Sequence, residues 1–567
     1  MNNKDKKKIL IATAFPTHGA GSGALVTTQA KSYVEDGHTV VIITGNNRTT
    51  FDKLDGVKYH IVPFTSEVDE PEKIDGQVPF NYLMFTTHTE STANFWNIGL
   101  DELEQYCKTF KKALQEEINT FNPDVIHAQH NWLLSSEATR MNKPVVTTIH
   151  GTDLMGYEKA KTNLDQINEK ITALKQDSII RKVKEIFSNT NTNYSGLVTQ
   201  VKAFLETPEG SKNKKKIKEA INLFSEQRKY AFYINEAENS AQKSNKIIVI
   251  SQAQKEKFIS LFPFAAHKIE LLENGYDPKT FYVDTTVSKE EVFQNLESNI
   301  TADGRISKDY SNLILFVGKF ADFKGIDSLL TANKLYDDKL KKQGKKPLTI
   351  IVGSGDLDKK LKAQAKKLKL DNTHFVGRKD HTTIRQLQNL ATVSLIPSRN
   401  EPFGLVVIEG TACGHPVIGS NSGGIPGIMN ISKKTLPNDD IIPTPLGILV
   451  RPLPERPQLS DENKDFLDLV TPDYVLGNEG DKTELISNMS KKLKITPEEL
   501  KNYFDEYTSS TEALAQAVEK ICNGQLSFDN KEIADYTKRV YSQPKIRDEL
   551  LQIFDAAEED YKINLEK

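Results

Sequence analysis

Two glutamates stand eight residues apart where a predicted strand gives way to a predicted helix. Glu401 lies in the connecting loop, and Glu409 comes about a turn into the helix. The backbone amides of Phe403, Gly404 and Leu405 lie at the helix start, where N–H groups lack intrahelical partners and attract anions. The two carboxylates would flank these amides and accept hydrogen bonds from neighbouring hydroxyls of a sugar or a ribose. The alternative for either glutamate alone is an ordinary surface or first-turn charge.

A histidine and a glycine-rich loop follow predicted strands nearer the start of the chain. His150 comes directly after the run Val145–Ile149, at the strand end where sheets of this kind bind ligands. Gly21 and Ser22 belong to the loop between the first strand and a helix, where glycine lets the backbone approach an anion closely. The alternatives are a histidine satisfied within the fold and a turn that needs only flexibility.

The elements that must position these residues are short β-branched runs, each followed by turn residues and a helical pattern. Continuous apolar runs indicate strands covered on both faces, and hence parallel sheets. The predicted fold class is therefore α/β, with two such domains. The runs are Ile9–Ala14, Thr39–Thr44, Val125–His127, Val145–Ile149, Lys246–Ile250, Leu313–Val317, Leu348–Val352, His374–Val376, Thr392–Ile396 and Pro416–Gly419.

The chain length predicts more than one domain. Its 567 residues exceed the roughly 250–300 at which a single hydrophobic core stops growing. We place an N-terminal domain at 1–285 with a helical insertion at about 152–245, and a C-terminal domain at 286–545. The last helix, 546–567, is expected to pack on a domain surface. The stretch from Arg451 to Gly480 opens with three prolines and is expected to be an exposed excursion.

Composition excludes several classes of protein. With 74 Lys+Arg against 77 Asp+Glu, the net charge of −3 argues against a dedicated nucleic-acid binder. Apolar runs are interrupted after about six residues, whereas a membrane-spanning helix needs about 20. Three scattered cysteines, Cys107, Cys413 and Cys522, argue against a disulfide framework or a cysteine zinc site. This cysteine content fits the reducing cytosol, so we expect a cytoplasmic protein.

The charge is unevenly distributed. Residues 151–245 carry 16 Lys/Arg against 12 Asp/Glu, a net +4, which leaves −7 for the rest of the chain. The stretches Ile179–Lys184 and Lys212–Lys218 hold much of this basic charge. They are either a basic amphipathic surface that meets anionic lipid or a solvated helix face. Partner binding at a membrane is therefore one of two interpretations of the insertion.

The string from Pro397 to Gly410, Pro-Ser-Arg-Asn-Glu-Pro-Phe-Gly-Leu-Val-Val-Ile-Glu-Gly, resembles the signature of retaining nucleotide-sugar glycosyltransferases of family 4. Gly414–Ile418 and Gly423–Pro426 continue the resemblance, although Gly427 stands where the family usually has Glu. The matches cover roughly residues 1–60, 120–155, 245–282 and 310–430. The resemblance implies a GT-B fold, in which two Rossmann-like domains face each other across a cleft.

The resemblance also implies how a nucleoside-diphosphate sugar would be held. Gly318 with Lys319 and Lys324 matches the element whose two cations hold the donor diphosphate. Because the leaving diphosphate gathers negative charge as the glycosidic bond breaks, cations fixed there stabilise the transition state more than the ground state. Glu401 would hold the donor hexose and Glu409 the ribose hydroxyls.

Further residues follow from the same resemblance. His150 would position the sugar or the acceptor, while Gly21 and Ser22 contact donor phosphate and acceptor. Arg378 belongs to the stretch that faces the nucleotide base, and Asn274 to an Asn-Gly motif near the domain junction. Apart from the resemblance, His127 and His130 end the preceding predicted strand, so they either line the same crevice or are structural histidines.

The implied activity is retaining, metal-independent transfer of a hexosyl group from a nucleotide sugar, UDP- or GDP-linked, to an unidentified acceptor held by the N-terminal domain. No cofactor is expected beyond this substrate, and a front-face mechanism is implied, with the diphosphate taking the acceptor's proton. Two alternatives stand beside it: a GT-B glycoside phosphorylase that uses free phosphate, and a non-catalytic scaffold that binds sugar nucleotides or membrane.

Overall fold

The structure, a computed structural model of the chain, describes residues 6–17, 21–46, 53–65, 83–85, 93–189, 194–297, 306, 309–429, 440–457 and 459–566. It divides into two compact units, the first formed by Met1–Glu273 with Ile546–Lys567 and the second by Asn274–Lys545. Each unit is built on one sheet with helices on both faces, so the α/β prediction is confirmed.

The first unit contains a seven-stranded sheet in the order β3-β2-β1-β4-β5-β6-β7, in which every neighbouring pair is parallel. The strands are β1 Lys8–Thr13, β2 Thr39–Asn46, β3 Val57–Pro63, β4 Val125–Gln129, β5 Val145–Ile149, β6 Lys246–Val249 and β7 Ile269–Leu271. Five of them coincide with predicted runs. The two others, β3 and β7, are edge strands with partly exposed residues, so neither shows the continuous apolar pattern of a buried strand.

The helices of the first unit follow its strands and fill the insertion. They are α1 Ser22–Glu35, α2 Leu100–Phe121, α3 Leu133–Ala138, α4 Gly151–Ala173, α5 Ser178–Asn189, α6 Tyr194–Glu206, α7 Pro208–Lys212, α8 Lys214–Lys243 and α9 Gln252–Leu261, with a 3₁₀ turn at Pro263–Lys268. Helices α4 to α8 form the insertion. Their apolar side chains, such as Tyr157, Ile180 and Phe224, belong to the same core cluster as Leu10 and Ala12 of β1. The insertion is therefore continuous with the domain core.

The opposite face of the first sheet is covered by the chain's last helix. Ile9 and Ile11 of β1 point to the face opposite Leu10 and Ala12, because side chains alternate along a strand. There they pack with Leu550 and Phe554 of the helix Gln543–Glu566. This alternation explains why β1 is apolar at every position from Ile9 to Ala12.

The second unit contains a seven-stranded sheet in the order β10-β9-β8-β11-β12-β14-β13, parallel except for the antiparallel pair β13/β14. The strands are β8 Asn312–Val317, β9 Pro347–Val352, β10 Thr373–Gly377, β11 Val393–Ile396, β12 Val417–Ser420, β13 Ile441–Thr444 and β14 Gly447–Val450. The first five coincide with predicted runs. The short hairpin β13/β14 was not predicted.

The helices of the second unit include a group beyond the sheet. They are α10 Lys289–Glu297, α11 Ile326–Lys342, α12 Asp358–Lys367, α13 His381–Leu390, α14 Leu405–Ala412, α15 Ile425–Ile428, α16 Asp461–Leu476, α17 Glu479–Leu493, α18 Pro497–Cys522 and α19 Asn530–Tyr541, with a 3₁₀ turn at Asp322–Lys324; the last helix of the chain is α20, Gln543–Glu566. The prediction of an exposed excursion from Arg451 to Gly480 is wrong. Leu453, Leu467 and Tyr474 are buried against an apolar stripe of α18 that includes Phe504.

The second unit begins at Asn274, whereas the sequence placed the boundary at 285. Tyr276 explains the difference, because its backbone pairs with a segment near the end of this unit. Its N–H donates to the carbonyl of Tyr541 at 2.9 Å, and its carbonyl accepts from the N–H of Gln543 at 2.8 Å.

Candidate active site

The strand order of the second sheet brings two loops together. Strands β8 and β11 are neighbours in the sheet, and the order in which strands are added reverses direction between them. Such a switch point leaves a crevice beyond the carboxyl ends of the two strands. Lys324 follows β8 and Glu401 follows β11. Nζ of Lys324 donates to Oε2 of Glu401 at 2.6 Å, and Oγ of Ser398 donates to the same oxygen at 2.9 Å. Two residues that the sequence singled out separately are thus one ion pair.

Two glycines let the loops of this site approach each other. Gly423 has φ +60°, and a Cβ there would lie 2.0 Å from the carbonyl oxygen of Glu401. Gly325 has φ +65°, and a Cβ there would lie 2.0 Å from the carbonyl oxygen of Pro397. The N–H of Gly424 donates to the Glu401 carbonyl at 2.7 Å. Gly423 and Gly424, in the loop after β12, therefore hold the backbone around Glu401. The sequence did not assign this role to them.

Helix α14 begins at Leu405, and Glu409 lies about one turn into it, where the sequence predicted this glutamate. The residue is half-buried. Burial raises the pKa of Glu409 from its ordinary 4.5 to about 7, and the positive charge of Lys324 lowers it only in part. Phe403 and Gly404 are buried and directly precede the helix, so the three predicted amides lie at its start.

We expect the stability of the unliganded protein to depend on the ionisation of Glu409. Between pH 4.5 and about 7 the folded protein retains a proton on Glu409 that the unfolded chain releases, so its stability falls as pH rises through this range. Glu409→Gln removes this contribution and raises the melting temperature more at pH 8 than at pH 5. Melting curves across this range measure the effect, with Glu484→Gln, an exposed glutamate on α17, as the control. Equal melting shifts at both pH values would contradict the assignment.

Three other predicted residues of the second unit, Gly318, Lys319 and Arg378, follow strands at the same edge of the sheet. Gly318 directly follows β8, and its N–H donates to the carbonyl of Val352 at the end of β9 at 3.0 Å. Lys319 is exposed beside it. Arg378 is exposed directly after β10, two strands from β8, and Asn274 is buried at the start of the unit.

A buried charge network that the sequence did not reveal supports the ion pair. Arg399 donates to both carboxylate oxygens of Asp327, at 2.9 and 2.6 Å, and Tyr507 donates to Asp327 at 3.0 Å. Arg456 pairs with Asp468 at 2.8 Å and also contacts Asp322. Although burial raises the pKa of Asp327, Arg399 and then Arg456 hold it well below its usual range.

The network fixes the backbone of both loops. The N–H of Arg399 donates to the Phe323 carbonyl at 2.8 Å, and its guanidinium to the Asp322 carbonyl at 2.9 Å. Residues on either side of Lys324 are thus tied to the loop that carries Glu401. Sequence reasoning missed this because Arg456 lies in the segment that it placed outside the core.

A second group of polar residues lies at the switch point between β1 and β4 of the first unit. Gly21 and Ser22 begin α1; His18–Ala20, the start of the predicted glycine-rich loop, lie outside the described residues. His150 follows β5, and its Nε2 lies 3.0 Å from Oε1 of Gln129. Burial, and then the neighbouring histidines, hold the pKa of His150 well below its usual range. His150 is therefore neutral near pH 7, and its ring is within hydrogen-bonding distance of Gln129.

The two earlier histidines differ in their surroundings. His127 is buried beneath the sheet edge, where its Nε2 lies 2.8 Å from Thr148 Oγ1, and burial lowers its pKa to about 3. These contacts favour the structural alternative for His127. His130 lies at the ligand edge, 3.2 Å from Ser22 Oγ.

The part of the chain that the structure describes holds neither a metal-binding cluster nor a membrane-spanning helix. Over the described ranges, His, Cys, Asp and Glu side chains form no group of three or more that is placed to hold a metal ion. Among the helices that the structure describes, none has both the length and the apolar character needed to cross a membrane.

Two parallel-stranded Rossmann-like units, with a cation and carboxylate at the switch point of the second, define the GT-B class of fold. Two family models match the chain: Glycosyltransferase Family 4 over residues 19–192 and Glycosyl transferases group 1 over 301–435. The chain belongs to the GT-B glycosyltransferases of family 4.

Curated relatives match parts of the chain. An uncharacterized glycosyltransferase of Methanocaldococcus jannaschii is 33% identical over 187 residues, which are 33% of this chain and 45% of that protein. A D-rhamnosyltransferase of Pseudomonas aeruginosa is 37% identical over 123 residues, 21% of this chain and 30% of that protein. The chain thus spans less than half the length of these relatives.

Solved structures match the fold over nearly the whole chain. Sucrose-phosphate synthase from Thermosynechococcus elongatus aligns with a TM-score of 0.51 at 14% identity, covering 97% of this chain and 98% of that one. A glycosyltransferase from Rickettsia africae aligns with a TM-score of 0.50 at 16% identity, covering 98% and 99%. At these identities the likeness shows the fold alone.

Proposed function

We propose that this protein transfers a hexosyl group from a nucleoside-diphosphate sugar to an acceptor hydroxyl, with retention at the anomeric carbon. The observation that carries the proposal is the Lys324–Glu401 pair at the switch point of the second sheet. It provides a partly buried cation for a leaving diphosphate and a carboxylate for sugar hydroxyls within one hydrogen-bonded group.

The proposed reaction breaks the bond between the anomeric carbon and the diphosphate oxygen and forms one to the acceptor oxygen on the same face. The acceptor's proton passes to the departing diphosphate. Lys324 and Lys319 stabilise the charge that develops there, which takes the place of a metal ion in this proposal. Glu401 orients the hexose, and Glu409 accepts hydrogen bonds from the ribose.

The first unit is proposed to hold the acceptor. His150 is neutral near pH 7, so it suits a hydrogen bond to an uncharged hydroxyl better than charge neutralisation of phosphate. In the proposed reaction, lysines of the second unit stabilise the charge on the diphosphate. His150 of the first unit positions the acceptor by a hydrogen bond.

Thermal stability in the presence of nucleotide sugars tests the proposed donor. A ligand at 100 times its dissociation constant adds about 2.7 kcal/mol to stability, which raises the melting temperature by several degrees. The panel contains UDP-, ADP- and GDP-linked hexoses, with each free nucleotide as a control. Binding followed by hydrolysis or transfer supports the proposal, and no shift with any nucleotide sugar would contradict it.

The same assays separate the two alternatives. A phosphorylase exchanges sugar with inorganic phosphate in the absence of nucleotide sugar. A scaffold binds the ligand without hydrolysis or transfer across the whole panel. Either result would replace the proposed transfer.

We further propose that the protein is cytoplasmic and that the insertion contacts anionic membrane by charge alone. Lys212, Lys214, Lys215, Lys216 and Lys218 are all exposed. In α5, however, the apolar residues Ile179, Ile180 and Val183 are buried, so they are not available to enter a bilayer. The contact is therefore expected to be electrostatic and sensitive to salt.

Vesicle co-sedimentation measures this contact. Each lysine near an anionic surface contributes about 1 kcal/mol, so changing all five to Gln should remove most binding to phosphatidylserine vesicles at low salt. A matched variant carries five changes to Gln at exposed lysines of the second unit, Lys359, Lys362, Lys366, Lys367 and Lys369, and should retain binding. No sedimentation of the wild-type protein at low salt would end the membrane proposal.

A further inference from the structure

An arginine from a distant part of the chain, Arg456, contacts the turn that carries Lys324. It lies between β14 and α16, and its side chain is 10% exposed. Its guanidinium pairs with the carboxylate of Asp322, the first residue of the turn. Its Nε donates to Oδ1 of Asp468 at 2.9 Å, and its Nη2 lies 2.8 Å from the same oxygen. Arg456 thus joins an exposed carboxylate of the turn to a shielded carboxylate of α16.

Asp468 is itself held from a second side. Its Oδ2 accepts from Nζ of Lys360, on α12, at 3.0 Å. The carboxylate therefore lies between two cations, and each of its oxygens has a donor. Because both oxygens are engaged, Asp468 fixes the direction of the Arg456 guanidinium.

The backbone around Arg456 is also restrained. Pro457 follows it directly, and a residue before proline is confined to extended backbone. Earlier in the same segment, the carbonyl of Pro452 accepts from Oγ of Ser510, on α18, at 2.7 Å. These restraints hold the backbone from which the Arg456 side chain extends.

The same segment packs against the other end of the turn. Leu453 is buried, and a Cβ on Gly325 would lie 3.1 Å from Cδ1 of Leu453. Gly325 directly follows Lys324 in the chain. The segment therefore contacts the backbone on both sides of Lys324, at Gly325 through Leu453 and at Asp322 through Arg456.

An arginine costs more to place here than an apolar side chain does. Removing a guanidinium from water offsets much of its attraction to carboxylates, and apolar replacements of buried ion pairs are often as stable. What the guanidinium adds is direction, because its planar donors fix the carboxylates on either side of it. Arg456 therefore supplies the position of Asp322 relative to Asp468.

We propose that Arg456, held by Asp468, is a positioning residue of the donor site: it fixes Asp322 and, with it, the turn that holds Lys324 beside Glu401. This rests on the proposed function, in which Lys324 stabilises the charge on the leaving diphosphate. Arg456 and Asp468 act through Lys324 and are assigned no contact with the reacting atoms.

Removal of Arg456 should lower turnover more than donor affinity. Arg456→Met keeps an unbranched side chain and removes both ion pairs, so we expect kcat to fall by up to about 10²-fold, the effect of a misplacement of about 1 Å. The donor KM should change little, because the charge that Lys324 meets develops in the transition state. Arg456→Lys keeps a charge but not the planar donors, so its kcat should lie between those of the wild type and of Arg456→Met.

A double-mutant cycle separates this role from a merely structural one. If Arg456 acts through Lys324, Arg456→Met should have little further effect on kcat in a protein that already carries Lys324→Ala. A structural role would lower kcat by the same factor in both backgrounds. The control is Arg451→Met, which removes an arginine of the same segment that pairs with Asp440 and should leave kcat unchanged. Melting curves establish that each variant is folded at the assay temperature.

Chemical labelling gives a readout that needs no substrate. A short pulse of acetic anhydride modifies lysines according to their accessibility, and mass spectrometry measures the modified fraction of Lys324. The Lys324 side chain is 17% exposed and pairs with Glu401, so it should react slowly in the wild type. Arg456→Met should raise its modified fraction several-fold relative to Lys334, which pairs with Asp338 on α11.

The outcomes distinguish the two proposals. A loss of kcat that depends on Lys324, together with faster labelling of Lys324, supports the positioning role. Unchanged kcat in Arg456→Met, or equal losses in both backgrounds, overturns that role and leaves sugar transfer standing. A wild-type protein that neither binds nor transfers any nucleotide sugar overturns the proposed function. In that case faster labelling of Lys324 still supports the hold of Arg456 on the turn, and unchanged labelling overturns it as well.

Discussion

Lys324→Ala should lower kcat for sugar transfer by about 10²–10³, the usual effect of removing one preorganised group that stabilises a developing charge. Lys324 lies 2.6 Å from Glu401, whose side chain is largely shielded from solvent. The change therefore removes a cation from the proposed leaving group, and the Glu401 carboxylate keeps the hydrogen bond from the Ser398 hydroxyl. Initial rates at saturating donor measure the loss.

A double-mutant cycle shows whether the two residues act as one unit. If they do, Lys324→Ala combined with Glu401→Gln should lower kcat by much less than the product of the single effects. The matched control is Lys334→Ala, which removes a lysine paired with Asp338 on the surface of α11 and should leave kcat unchanged. Near-wild-type transfer by Lys324→Ala, with a confirmed donor and acceptor, would remove this residue from the site.

Gly423→Ala should destabilise the second unit by about 3 kcal/mol or more, because it combines a left-handed backbone with a buried overlap. The added Cβ would lie 2.0 Å from the Glu401 carbonyl oxygen and 2.9 Å from the Glu401 nitrogen. Relief of this overlap has to move the loop that carries Glu401. We therefore expect donor binding to weaken in the molecules that remain folded, which melting curves and donor titration below the melting temperature measure separately.

The chain provides a control with the same backbone and no overlap. Gly344 has φ +74°, and a Cβ there meets nothing within 4 Å. Gly344→Ala should therefore cost only the strain of the left-handed conformation, about 1–2 kcal/mol, and leave donor binding intact. Equal losses of stability and binding in the two variants would contradict a specific role of Gly423 beside Glu401.

Much of the architecture follows from local pattern. The continuous apolar runs of β1 and β8 predict buried parallel strands, since both faces of such strands are covered. The polar strings after these runs then have to lie at the carboxyl edges of the sheets. This reasoning placed Lys324 and Glu401 at such an edge without knowledge of their contact.

Partners distant in the chain could not be predicted in the same way. Arg456 belongs to a proline-rich stretch that reads as exposed, yet it lies beside Asp327 and Asp468 because α18 offers an apolar face for α16 to cover. The edge strand β3 was missed because its half-exposed residues carry no continuous apolar pattern. In both cases burial depends on a neighbour that local sequence does not identify.

The order of apolar runs and polar strings is enough to predict two α/β domains and the residues at their ligand edges, because strand burial leaves a local signature in the chain. Which side chains touch is settled by strand order and packing. Ser22 and His130 are 108 residues apart and Lys324 and Glu401 are 77 apart, and each pair meets because the strands before its two residues are neighbours in the sheet. Local periodicity carries no information about such pairs, because it records how each segment is buried and not which segment covers it.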